Sequence, residues 1–355
     1  MRYLILLSFS FLISKSTFSQ GCCSGGSGSP IAGGASQGVL LKGQVELGAN
    51  YQYANSDKFY SGDKDTASLL KSLSSNYLYL RIGYGITEKL SLSIEGGYFF
   101  DKTLVGLHPD DPYVIDNTKK SSGVSDLIIF PRYDVFNHTN EDFHTEVTLG
   151  VGLKIPIGKY YDSIVTFNDP SIPLKISLLM PPTVQPSTGA YDFIFYGFAL
   201  NEFKHAKFKV FANALYIRKG WNSLGEKFGD YTSVGLFAGK TFFKKLGVTL
   251  QLKGEWIGPL QLVPDAIPSL MNVDPASTGS KKISFVPQLS YNFKSFTLYS
   301  MCDLPLYQYM NGLQIGSKYL ITTGLSYRFM PMKNLWKKAE KAEESEKPKP
   351  DSIFK

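Results

Sequence analysis

The fold class predicted here is an all-β transmembrane barrel: an antiparallel up-and-down barrel of about twelve strands. Three observations predict it. Apolar and polar residues alternate with period two in segment after segment between residues 39 and 329. The connections alternate between short and long. The chain is rich in aromatic residues, with 25 Phe and 22 Tyr, and has 19% charged residues. No apolar run beyond the leader is long enough for a spanning helix.

The chain begins MR and continues into the apolar stretch YLILLSFSFLI, Tyr3–Ile13. That length matches a signal-peptide core and falls short of a spanning helix. Thr17 and Ser19 are small residues at −3 and −1 of a cut before Gln20. Residues 1–19 therefore read as a signal peptide, and 20–38 as a periplasmic segment rich in Cys, Gly and Ser. That segment opens QGCCSGGSGSPIAGG. Its Gly and Ser make it a flexible tether able to fold back into the barrel as a small plug. Cys22 and Cys23 remain open between a structural plug or disulfide-bearing tether, lipid attachment, metal or redox work, and no role. Lipoprotein processing ordinarily wants Leu where Ser19 stands, and a metal needs more ligands than two thiolates.

The strands read as 39–54, 76–86, 89–101, 124–137, 142–156, 191–202, 206–219, 230–243, 246–258, 281–293, 295–305 and 317–329. In 247–258, Val248, Leu250, Leu252 and Trp256 alternate with Thr249, Gln251, Lys253 and Glu255. In 146–158, Val147, Leu149, Val151 and Leu153 suit lipid while Thr148, Gly150, Gly152 and Lys154 suit the interior. Short turns (TEK, HTNED, FKHA, KK, FK) alternate with long connections at 55–75, 102–123, 157–190, 220–229, 259–280 and 306–316. Short turns belong on the periplasmic side and long loops outside, so both termini are expected in the periplasm. The last strand carries TTGLSYRF: Thr322, Gly324, Tyr327 and Phe329 fit the barrel-assembly pattern polar-x-Gly-x-x-aromatic-x-aromatic. Residues 330–355 form a charged tail, expected to be solvated in the periplasm with a short helix at 332–346.

Phasing the strands by their lipid faces names candidates for the lumen: Gln44, Glu46, Asn50, Arg81, Glu95, Asp126, Arg132, Asp134, Glu146, Lys154, Gln251, Lys253, Glu255 and Arg328. Charges of both signs are present. They either pair and narrow the lumen or line it and select what passes. Two Pro-rich connections, 178–189 and 258–279, hold Leu178, Leu179, Met180, Leu260, Leu262, Ile267 and Leu270. Those residues would be exposed unless the loops fold over the mouth as lids.

Several stretches resemble one family. SSGVSDLIIFPRYDVF (121–136), LGVGLKIPIGKY (149–160), PSTGAYDFIFYGFA (186–199) and DLPLYQYMNGLQIGSKYLITTGLSYRF (303–329) are similar, in order and spacing, to its motifs. The family is the outer-membrane transporters labelled for phenol meta-cleavage pathways, distant relatives of long-chain fatty-acid channels. Ile157 departs from the Thr usual there, and the double-Cys N-terminus resembles Bacteroidetes members. The resemblance implies a channel or transporter for small solutes, hydrophobic ones included. Its label is not evidence for phenols.

Other classes are weighed against this. A barrel enzyme acting on lipids needs a His beside a Ser on a lipid-facing strand. Here His108 falls in a long loop, His138 and His205 in short turns, and His144 at a strand start, so no enzyme is expected. A structural or adhesion barrel working through its loops is a further alternative. The net charge of +7 is spread over alternate strand positions, which argues against nucleic acid. It points weakly to anions or lipopolysaccharide phosphates. The expected setting is the outer membrane of a Gram-negative bacterium. Expected partners are its lipids and lipopolysaccharide, the barrel-assembly machinery and an unidentified permeant; no cofactor or metal is implied.

Overall fold

The computed structural model describes residues 38–107, 118–169, 174–243, 245–265 and 273–331. Signal-peptide cleavage, Cys22 and Cys23, His108, Ile267 and Leu270, and the helix at 332–346 all lie outside them.

Twelve strands form the barrel: β1 Val45–Ser56, β2 Leu70–Gly85, β3 Leu90–Gly106, β4 Leu127–Thr139, β5 Phe143–Ile155, β6 Asp192–Phe203, β7 Phe208–Arg218, β8 Tyr231–Phe242, β9 Leu246–Ile257, β10 Ser280–Phe293, β11 Phe296–Gly316 and β12 Tyr319–Phe329. Each pairs antiparallel with its sequence neighbours. The sheet closes where β1 meets β12, from Val45 opposite Phe329 to Asn55 opposite Tyr319. Closure satisfies the backbone of every strand without leaving an edge, as a hydrocarbon environment demands. Side-chain period two then sorts the residues. On β5, Leu149 and Val151 stand outward, while Thr148 is fully buried. On β3, Ile94 and Phe100 face out and Ser91, Ser93 and Glu95 face in. The outward face carries exposed Leu, Ile, Val, Phe and Tyr all round, which is the surface an outer-membrane barrel presents to lipid.

At one end the hairpins are tight, and local chemistry closes them. Thr87 Oγ1 accepts the backbone N–H of Lys89 at 3.2 Å and of Leu90 at 2.9 Å. Asn140 Oδ1 accepts those of Asp142 at 2.9 Å and Phe143 at 2.6 Å. Lys207, Phe243 and Lys294 take positive φ (49°, 50° and 54°) at the other three turns. All three are non-β-branched, and their strain is the cost of a tight reversal.

At the opposite end the long connections are more regular than the sequence suggests. Residues 306–316, expected as a loop, continue β11. This extension pairs with the start of β10 on one side and with the short strand Lys58–Gly62 on the other. Both neighbours supply backbone partners, and Gly312 at φ 63° absorbs the register change between Met310 and Leu313. Likewise β2 and β3 run past their expected ends, and β3 pairs with Lys119–Val124. The fourth strand begins at Leu127, so Asp126 precedes it. Ser125 and Asp126 lie opposite Gly96 and Gly97, where the ladder from Lys119–Val124 breaks before resuming at Ile128. His138 belongs to β4 rather than to a turn.

Residues 181–187 of the connection after β5 are buried. Val184 packs with Phe59, Leu70, Leu104 and Ile315 beneath the loops. Gln185 holds the segment, donating to the Asp162 and Met180 carbonyls and accepting from the Asp162 amide. A second cluster joins Phe228, Leu260 and Val273, with Leu262 against it.

Candidate functional site

The interior has a polar wall and an apolar wall. On the polar side, β1, β2, β3 and β12 bring four sequence-predicted residues together. Arg81 lies 3.3 Å from Glu46 and 3.3 Å from Glu95. Arg328 Nε donates to Glu46 at 2.5 Å. Glu95 also accepts from Tyr79 Oη at 2.5 Å and Ser93 Oγ at 2.7 Å. Two carboxylates thus share two guanidinium groups, which is how buried charge is tolerated.

Nearer the loop end, two further networks form. Lys253 contacts both Glu255 and Asp303, Lys282 reaches Glu255 at 2.8 Å, and Tyr231 Oη donates to Glu255 at 2.6 Å. Lys154 pairs with Asp126 at 2.5 Å and Asp192 at 3.0 Å and donates to Thr188 Oγ1 at 2.6 Å. Lys219 pairs with Asp192 at 3.0 Å. The remaining predicted residues are placed as follows. Glu146 accepts from Thr148 at 2.9 Å. Arg132 is buried beside the Phe130 ring, at 6.0 Å. Asp134 is buried and bonded to Asn137 at 2.9 Å. Asn50 accepts from Gln52, and Gln44 accepts from the Leu41 amide. Gln251 lies beside Gly235.

Asp192, Lys219, Lys282, Asp303, Tyr79 and Tyr231 were missed from sequence. Lys282 follows another lysine, which blurs the alternation. Lys219 lies one residue past β7, and Asp303 interrupts an otherwise apolar stretch that reads as lipid-facing.

The apolar wall runs along β4, β6, β7 and β8: Ile128, Phe130, Ile194, Tyr196, Phe198, Phe211, Leu215, Ile217, Tyr231 and Phe237. Phe211 stacks on Phe237 at 4.3 Å, and Phe130 meets Tyr196 edge-on at 5.8 Å. The glycines of β5 leave room for it: a β-carbon on Gly152 would lie 2.6 Å from the Phe130 ring.

Two chambers of similar size lie in the interior among the described residues. The loop-end chamber, about 180 Å³, has Tyr77, Phe99, Ile128, Ile217 and Tyr231 in its walls and Pro182, Gln185 and Pro186 over it. The turn-end chamber, about 200 Å³, has Glu46, Arg81, Arg328 and Phe211 among its walls. Tyr79 borders both, so its ring lies between them. Of the apolar loop residues, Leu260 is buried, and Leu179, Met180 and Leu262 are half-buried.

Ahead of β1 the chain enters the barrel. Leu40 is buried against Gly83 on β2, and Gly38 abuts the Glu146 carboxylate on β5. Outside the barrel strands, burial pushes the Glu226 carboxyl up, and its bond from Asn222 Nδ2 at 2.9 Å acts the other way. Among the described residues, His138, His144 and His205 sit at the turn end. His144 contacts Thr139 and Glu146, and His205 contacts Asp142.

No family model matches this chain, and no curated protein does. Among solved structures it is similar to an outer membrane channel from Pseudomonas putida F1. The TM-score is 0.60 at 14% identity, over 84% of this chain and 99% of that one. The KdgM porin (TM-score 0.37, 9% identity, 80% of this chain and 99% of that) and the NanC porin (0.37, 8%, 80% and 98%) match more weakly. The first shares the twelve-stranded fold with this chain. The identities are too low to carry function.

Proposed function

We propose that this outer-membrane barrel is a channel that passes small solutes with an apolar component by passive diffusion. The observation that carries it is the split interior: a continuous apolar wall facing a charged one, with a chamber at each end and Tyr79 between. A lumen filled only for stability would need neither chamber. In this reading the short turns and both termini face the periplasm, behind a cleaved leader. Residues 181–187 lid the outer mouth. Cys22 and Cys23, which lie outside the described residues, are assigned to closure of the inner mouth, a reading supported by the inward placement of Gly38 and Leu40. Glu46, Arg81, Glu95 and Arg328 brace the waist. Asp126 and Lys154 line the outer chamber, and Lys253 and Glu255 stiffen the wall between strands. Arg132, Asp134 and Glu146 complete the polar lining. Lipid and lipopolysaccharide surround the barrel, and Tyr327 and Phe329 serve recognition by the assembly machinery. No catalytic role is assigned.

The test is single-channel recording of the purified full chain in planar bilayers. Discrete conductance steps are expected. Their absence, with a properly folded barrel, would favour a structural or adhesion role instead. Replacing Cys22 and Cys23 by Ser is expected to alter closure while leaving membrane insertion intact.

A further inference from the structure

Three loop segments meet at one buried carboxyl beyond the barrel strands. Glu226 is 4% exposed and lies in the connection between β7 and β8. Asn222 Nδ2 donates to its Oε2 at 2.9 Å and to the backbone carbonyl of Thr188 at 3.0 Å. One amide thus ties Glu226 to the residue that follows the lid. Glu226 and Lys227 pair with Leu262 and Gln261 of the connection after β9, and Phe228 packs against Leu260 and Val273. The 219–230 loop is clamped between its two neighbours at this point.

The clamp borders the loop-end chamber. Thr188 on one side of it, and Phe228 and Gly229 on the other, stand in that chamber's wall. Thr188 Oγ1 accepts from Lys154, whose ammonium also holds Asp126 in the same wall. Parting Thr188 from the 219–230 loop would therefore open the chamber at the loop end.

The chemistry of the clamp makes it conditional. Among the described residues Glu226 forms no ion pair; burial and the Asn222 bond set its carboxyl. The narrow space beside it is lined by Met180, Gln185, Thr188 and Leu224 among others, and Tyr160 is its one other titratable group there. Tyr160 Oη shares a hydrogen bond with Ser223 Oγ at 2.7 Å. In the same segment Lys159 is exposed, and Asp162 accepts from Ser121 at 2.5 Å. After β9, Gln261 and Leu262 do not titrate and Asp265 is exposed. On its own loop Lys227 is half-buried, Lys219 pairs with Asp192, and Asp230 accepts from Tyr216 Oη and the Lys219 amide. A neutral carboxyl is tolerated in such a place. An ionised one needs water, and reaching water means leaving the clamp.

We infer that Glu226 is a pH-sensitive pin: its neutral carboxyl holds the three loops together at the loop-end mouth, and its ionisation releases them. The packed state is favoured below the ordinary carboxylate range and is lost as pH rises through the raised folded-state value. That release opens a passage rests on the channel reading; the release itself does not.

The test uses the full chain in lipid nanodiscs and in planar bilayers, from about pH 4 to about pH 7.5. The first readout is hydrogen exchange of the amides of 219–230, taken at each pH as the ratio of wild type to Glu226→Gln. The ratio cancels the pH dependence of exchange chemistry and of titrating groups the two proteins share. It is expected to rise with pH from near unity, by up to about tenfold per pH unit, with a midpoint above the ordinary carboxylate range. The second readout is open probability. It should rise over the same interval in wild type and stay low and flat in Glu226→Gln. Heat-modifiable electrophoretic mobility reports folding, and Glu226→Met is a second neutral replacement should the first not fold. A flat exchange ratio overturns the pin, as does a rising ratio in a conducting wild type whose open probability ignores pH. A rising ratio with no conductance at any pH keeps the pin and removes the channel reading.

Discussion

Removing the Tyr79 ring should join the two chambers. Tyr79 alone, among the described residues, borders both the 180 Å³ and the 200 Å³ cavity, and it is 3% exposed. Tyr79→Ala deletes the partition and leaves Glu95 held by Arg81 and Ser93. Truncating a buried aromatic costs about 3–5 kcal/mol, which a closed barrel with the full ladder of twelve strands tolerates. Tyr79→Phe keeps the partition and removes only the hydroxyl that donates to Glu95, a charge-assisted bond worth about 1.5–3 kcal/mol. The two variants therefore separate gating from stability. In planar bilayers Tyr79→Ala should conduct severalfold more than wild type and Tyr79→Phe should conduct as wild type. In urea unfolding both should be destabilised, Ala more than Phe. Wild-type conductance by a folded Tyr79→Ala barrel would refute the view that these chambers lie in series.

Other expectations follow from the same geometry. Glu255→Gln leaves Lys253 and Lys282 without their shared carboxylate, and breaking such a buried group should cost about 3–5 kcal/mol in urea unfolding. Gly152→Ala sets a β-carbon 2.6 Å from the Phe130 ring and should destabilise by about 1–3 kcal/mol, with relief from Phe130→Leu. Because burial raises the Glu226 carboxyl in the folded loop, its neutral form favours the packed state. That contribution is present below the ordinary carboxylate range and lost as pH rises through the raised value. Proteolytic nicking at 219–230 should thus speed up with pH in wild type and stay flat in Glu226→Gln.

The barrel was legible because its cause is local. A strand with one face in lipid must alternate, so Leu250, Leu252 and Trp256 announce their neighbours Gln251, Lys253 and Glu255 as inward without any knowledge of pairing. Pairing is where the signal fades. Lys253 meets Asp303 from β11 and Lys154 meets Asp192 from β6, and which residues stand level across strands depends on register, which no single strand encodes. The extended arm of β11 was hidden for a related reason. Residues 306–316 hold a glycine at 312 and polar residues typical of a loop, and become a strand because Lys58–Gly62 supplies their partners. The apolar wall was present in the sequence as inward-phased Phe130, Tyr196, Phe211 and Phe237. A lipid-minded reading notices aromatic residues on the outside and overlooks those on the inside. The burial of 181–187 reflects the same lesson: Pro182 and Val184 are covered because the loop folds onto Leu70 and Leu104, not because of their own neighbours.

The account turns on whether solute crosses through this lumen. The direct measurement is influx of a labelled small solute with an apolar component, one that does not cross the lipid unaided, into liposomes carrying the full chain, against liposomes without protein. Protein-dependent influx that rises in Tyr79→Ala is expected. Influx equal to that of protein-free liposomes, for both wild type and Tyr79→Ala, would contradict it.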